Sequence, residues 1–189
     1  MTERIPRPES VDEMLKFWLV GARKRVEKNE RAASRFERRG VLLGYAAAVF
    51  SAAATAALSA SLAELVDPSK KHYVELLGIV FGIASTAIAT VNTSSNYASS
   101  ARKYRAKAGQ YKSTIRDLEL IVALLAEGHS GIEGQSLEGL IRQAEDKLND
   151  IEADREAPVI PRRIDAQVEK RFSEFEFVTR ADDLKGAVG

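Results

Sequence analysis

Two stretches of this chain contain no Asp, Glu, Lys or Arg: 24 residues from Gly40 to Ala63 and 26 residues from Leu76 to Ala101. A 24-residue helix is about 36 Å long at about 1.5 Å per residue, and the hydrocarbon core of a bilayer is about 30 Å thick. Each run is therefore long enough to span. A soluble amphipathic helix should carry polar residues at helical spacing throughout; the first run offers only Ser51, Thr55, Ser59 and Ser61. The competing reading is a soluble, Ala-rich helical bundle, which the mean hydropathy of −0.20 leaves open.

The charges around these runs are sorted by place. Residues 20–39 hold eight Lys or Arg against three Glu, and residues 101–116 hold six Lys or Arg and no acid. The connector from Glu64 to Glu75 holds only Lys70 and Lys71 with three acids. Basic residues in short loops stay on the cytoplasmic side. The pattern predicts two spans at about 41–63 and 75–97, an outer loop at 64–74, and both termini inside. Arg35, Arg38, Arg39, Arg102, Lys103 and Arg105 flank the membrane in this reading, where they can also meet anionic headgroups. Tyr45, Tyr73 and Tyr97 fall at the expected interfaces, which favour amphipathic rings.

The fold class expected is all-α: a two-transmembrane helical hairpin with an N-terminal amphipathic helix and a cytoplasmic helical extension. Residues 1–9 are read as disordered and 10–127 as the hairpin domain. A first helix opens at Ser10, because Ser10-Val11-Asp12-Glu13 has the spacing of a capping box, and Leu15, Trp18, Ala22 and Val26 mark its face. Ile115, Leu118, Ile121, Val122 and Leu125 continue a helical stripe beyond the second run, which predicts one continuous helix from span to cytoplasm. Gly128 to Ser136 is a glycine-rich break. A cytoplasmic helix follows within 128–157, capped by Ser136, with Leu137, Leu140, Ile141, Ala144, Leu148 and Ile151 on one side. The tail, 158–189, carries at most one more short helix or strand, and its end from Leu184 is expected to be mobile.

Small residues recur along both runs. Every fourth position gives Gly40, Gly44, Ala48 and Ala52 in the first, and Gly78, Gly82, Thr86 and Thr90 in the second. Helices in lipid associate through close approach across such residues, so both series are helix-packing candidates. The second run is also polar toward its inner end: Ser85, Thr86, Thr90, Asn92, Thr93 and Asn96. Hydroxyls there either bond carbonyls of their own helix or, in a ring of several hairpins, line a pore. Glu64 and Glu75, at the outer ends of the runs, are either solvated at the interface or form acidic rings at the pore mouth, favouring cations.

Catalytic chemistry has little to work with. Cysteine is absent, which removes disulfides, thiolate nucleophiles and Cys-based zinc sites. His72 and His129 stand apart, without metal-ligand spacing, and no phosphate-cradling glycine motif follows a strand. The reading is of a protein that is not an enzyme, with no catalytic, cofactor or metal residues. A net charge of +1 also argues against nucleic acid as a partner.

With two spans, a short outer loop, the basic approach Arg35-Phe36-Glu37-Arg38-Arg39-Gly40 and the exit from Tyr97 to Tyr111 with its Tyr104-Arg105-Ala106, the chain resembles the SLATT family of bacterial two-transmembrane proteins over roughly residues 12–126. That family accompanies nucleotide second-messenger synthases and SLOG-type nucleotide sensors in bacterial conflict systems. The resemblance implies a membrane effector that forms a homo-oligomeric pore or disrupts the bilayer in antiphage defence. Its cytoplasmic trigger would be a nucleotide signal or a sensor protein encoded nearby. A non-conducting membrane scaffold that recruits a cytoplasmic partner is the alternative.

Overall fold

A computed structural model of the protein describes residues 10–63, 66–128, 131–132, 135–154 and 159–174. Residues 1–9, Glu64, His129 and the end of the tail lie outside them. The described residues are all-α apart from one two-residue hairpin, in the order α1 (Val11–Leu62), α2 (Pro68–Ser94), α3 (Tyr97–Ala126), β1 (Gly131–Ile132), β2 (Gln135–Ser136), α4 (Leu137–Ala153) and α5 (Arg162–Glu174).

The helix ends follow local chemistry. The Glu13 amide donates to Ser10 Oγ at 3.2 Å, and Asp12 and Glu13 place negative charge in the first turn of α1, where the helix dipole favours it. The helix then runs unbroken for 52 residues. Asp67-Pro68-Ser69 does not reverse the chain but opens α2: Asp67 accepts from the Ser69 amide, and Pro68 sits where a helix needs no amide donor. These bonds hold the Asp67 carboxyl below its ordinary pKa. The expected loop at 64–74 is thereby shortened, since Pro68–Val74 is already helix.

The expected continuity from the second span into the cytoplasmic helix is interrupted. Ser95 caps α2, and Asn96 follows at φ 46°. Asn is one of the few residues with side chains that visit the left-handed region readily. The Asn96 carbonyl then accepts from the Ser100 amide at 2.9 Å and starts α3. At the far end of α3, Gly128 at φ 73° ends the helix, its amide donating to Leu125 O. The glycine-rich break beyond it contains the antiparallel pairing of Gly131 with Ser136 and Ile132 with Gln135. Ser136 caps α4 through the Gly139 amide at 3.2 Å.

The chain divides into two compact units, one of residues 1–32 with 103–189 and one of residues 33–102. In the first, Leu15, Leu19, Leu118, Ile121, Val122 and Ala144 form a buried cluster flanked by Trp18, Ile115, Leu125 and the apolar face of α4. Ala22, Tyr111 and Ile151 extend it. Each fully buried Leu or Ile contributes about 1.5–3 kcal/mol relative to exposure, so α4 is docked by its apolar face. Within the tail, the described residues form one helix, α5, of 13 residues with Ile164, Val168 and Phe172 buried.

Candidate functional site

The second unit is an antiparallel helical hairpin, and side-chain contacts fix its register. Phe36 lies against Tyr97 with ring centroids 6.1 Å apart, and Phe50 against Phe81 at 5.8 Å. Ser85 Oγ donates to the Ala47 carbonyl at 2.9 Å, and Ser61 Oγ to Glu75 Oε1 at 2.7 Å. On α1 the contacting positions include Phe36, Gly40, Gly44, Ala47, Phe50, Leu58 and Ser61. They follow one another by three, four or eight residues, which keeps one helix face toward a partner.

The small-residue series divide between this seam and the outer surface. A Cβ at Gly40 would lie 3.2 Å from Tyr97 Cβ, one at Gly44 4.0 Å from Asn92 Nδ2, and one at Gly78 3.0 Å from Leu58 Cγ. Gly40 and Gly78 therefore permit close approach within the hairpin, whereas a Cβ at Gly44 would make only an ordinary contact. Ala48 and Ala52 are exposed, and nothing lies within 4 Å of a Cβ at Gly82. Steps of four residues rotate about 40° each around a helix of 3.6 residues per turn, so the series drifts off the seam.

The six polar residues of α2 and its end split in the same way. Ser85 and Asn92 are half-buried toward α1. Thr86, Thr90 and Thr93 share the exposed face, and each hydroxyl donates to a carbonyl of its own helix: Gly82 at 2.9 Å, Thr86 at 2.8 Å and Ala89 at 3.0 Å. Asn96 is exposed at the left-handed break. Beside the threonine face lies an open apolar groove of about 540 Å³, lined by Ala54, Leu58, Gly78, Ile79, Gly82, Ile83, Thr86 and Ala87.

Glu75 is half-buried as the acceptor for Ser61, which is only 2% exposed. Of the flanking basic residues, Arg38, Arg39 and Arg102 are exposed in this unit and Arg35 is half-buried; Lys103 and Arg105 are exposed in the other. A shallow groove of about 380 Å³ on α1 joins Arg38 to Val41, Leu42 and Tyr45, with Ser34 and Glu37 at its edge. One charged turn and one apolar turn thus meet on a single helix face.

The main electrostatic cluster lies in the first unit, and sequence reading missed it. Lys28 Nζ reaches Asp165 Oδ1 at 2.6 Å and also binds Glu169, which Lys24 contacts at 3.0 Å. Arg171 pairs with Glu27, and Lys24 lies 5.7 Å from the Phe172 ring centroid. Partial burial opposes the charge on Lys28, but its hydrogen bonds to Asp165 and Glu169 prevail and raise its pKa. Hydrogen bonds from Lys28 and Lys24 hold Glu169 below the ordinary glutamate value. Tyr104, whose pKa burial raises, donates to the Val159 carbonyl at 2.8 Å. The only signal in the sequence was the spacing of Ile164, Val168 and Phe172, four residues apart.

Among the described residues, no three His, Cys, Asp or Glu side chains are grouped to hold a metal ion. Both α1 and the segment Pro68–Ala126 contain a stretch long and apolar enough to cross a membrane, and only 6% of each stretch is buried. Compared with known proteins, the chain matches no family model, no curated protein and no solved structure.

Proposed function

We propose that this chain is a bacterial inner-membrane hairpin protein with both termini in the cytoplasm. It acts as an oligomeric effector that opens a pore or disrupts the bilayer when a cytoplasmic, nucleotide-linked signal reaches its helical extension. Antiphage defence is the setting that the resemblance to the SLATT family implies. The observation that carries the membrane reading is exposure: Leu42, Tyr45, Val49 and Ile83 are each at least 65% exposed. A core helix of a soluble bundle buries such side chains, whereas a spanning helix turns them to lipid.

Oligomerisation is supported by the groove beside Gly82 and Thr86, because close approach across small residues drives helix association in lipid. A pore among several copies would be lined by the exposed threonine face. The basic turns of Arg38, Arg39 and Arg102 would sit at the inner headgroups, where each exposed cation gains about 1 kcal/mol from anionic lipid.

A second reading is a non-conducting scaffold, favoured by the way Thr86, Thr90 and Thr93 spend their hydroxyls on their own helix. Such threonines need neither water nor a partner. Induced expression in cells loaded with a membrane-potential dye separates the two. A pore depolarises the cells, and the triple change Thr86→Leu, Thr90→Leu and Thr93→Leu abolishes the leak while the protein still inserts. An unchanged potential, with the protein in the membrane fraction, leaves the scaffold; recovery in the soluble fraction overturns both.

A further inference from the structure

Helices α4 and α5 are attached to the first unit by different means. An apolar face of six residues docks α4, four of them flanking the Leu15–Leu118 cluster that Ala144 joins. One ridge of three buried residues, Ile164, Val168 and Phe172, docks α5, and ion pairs with Lys24, Lys28 and Glu27 add to its hold on α1. Two of the three carboxylates concerned are half open to solvent, with the Asp165 side chain 51% exposed and that of Glu169 49%, while Glu27 and Lys28 are more enclosed. Ion pairs so exposed are weakened by salt, since the screening length falls from about 10 Å at 0.1 M to about 3 Å at 1 M. The chain entering α5 is fastened to a second helix, through the hydrogen bond from Tyr104 of α3 to the Val159 carbonyl. Helix α5 thus ties α1 to α3, the two helices of this unit whose chains run on into the residue 33–102 unit.

We propose that α5 is a charge-held strap across α1 and α3, which releases when Lys24 and Lys28 lose their carboxylate partners while α4 stays docked. Anything that competes for those lysines, an anionic ligand or an acidic protein segment, then acts as the releasing agent. The inference does not depend on the hairpin conducting. Because contacts weaker than the core open first, the strap has its own opening equilibrium, separate from global unfolding.

The test is amide hydrogen exchange on the full chain in detergent micelles, comparing peptides from 162–174 with peptides from 137–153. In 1 M sodium chloride the α5 amides exchange at least about tenfold faster than in 50 mM, while those of α4 change less than twofold. The variant Asp165→Asn with Glu169→Gln reproduces the fast α5 exchange at low salt. A third variant, Val168→Asp, removes the apolar hold and frees α5 at either salt concentration with α4 still protected. Salt-independent α5 exchange, or an unchanged rate in the charge-neutral variant, overturns the proposal. Joint loss of protection in α4 and α5 overturns it as well, because the two helices are then one cooperative body.

Discussion

Ser61 donates its hydroxyl to Glu75 at 2.7 Å, joining the last turn of α1 to α2 from a position only 2% exposed. A hydrogen bond to a charged acceptor contributes about 1.5–3 kcal/mol, and a half-buried carboxylate deprived of its donor keeps part of its desolvation cost. Ser61→Ala therefore lowers hairpin stability by about 1–3 kcal/mol, and Ser61→Thr retains most of it. Unfolding in detergent micelles, followed by circular dichroism, measures the difference.

Gly78 and Gly82 are one helical turn apart and predict opposite outcomes. A side chain at Gly78 meets Leu58 at 3.0 Å, whereas Gly82 faces open space. Gly78→Val is expected to destabilise the hairpin by about 1–3 kcal/mol through overpacking. Gly82→Val leaves the isolated hairpin intact and instead reduces self-association, read by cross-linking in membranes. Equal cross-linking of Gly82→Val and the parent protein would remove the groove from the assembly interface.

Asn96 occupies the left-handed region at φ 46°. A β-branched residue is strained there, whereas Gly adopts it freely, and the left-handed conformation costs an ordinary residue about 1–2 kcal/mol. Asn96→Gly is expected to leave thermal stability close to that of the parent. Asn96→Val loses about 1–2 kcal/mol or straightens the joint, and amide exchange at residues 95–100 tells which.

The ionic attachment of α5 has two pH limits of opposite sign. Glu169 has a lowered pKa, so its contribution is complete above the unfolded glutamate value and is lost as pH falls through the lower folded one. Lys28 has a raised pKa, so its contribution is complete below the unfolded lysine value of 10.5 and is lost as pH rises through the higher folded one. Lys24, Asp165, Glu27, Arg31 and Arg171 are among the facing charges. At low salt, α5 protection is flat through neutral pH and falls at both extremes; Glu169→Gln shrinks the acid limb and, because Glu169 also helps to raise the Lys28 pKa, shrinks the alkaline one in part.

What could be read from the sequence was what depends on near neighbours. The Ser10 and Ser136 caps, the apolar face of α4 and the two charge-free runs are local patterns, and each corresponds to an observed element. The start of α2 fell inside the expected loop at 64–74 because Asp-Pro-Ser serves equally well in a loop and as a helix cap. The break at Asn96 was invisible because neither Gly nor Pro stands between Val91 and Ala101 to mark it. The Lys28–Glu169 contact joins residues 141 apart, and no local pattern announces such a pair. Nor could the sequence divide the polar stripe: Ser85 turns to α1 and Thr86 away from it, a distinction set by the hairpin register.

The unbroken ladder of α1 and the left-handed residue after α2 give the two sides of the hairpin unequal continuity. Along α1, 52 residues share one set of helical hydrogen bonds, whereas the set begun at Pro68 stops at Ser95 and Asn96 before α3 starts another. Backbone bonding thus passes from Val11 to Leu62 without a seam and is cut once between α2 and α3.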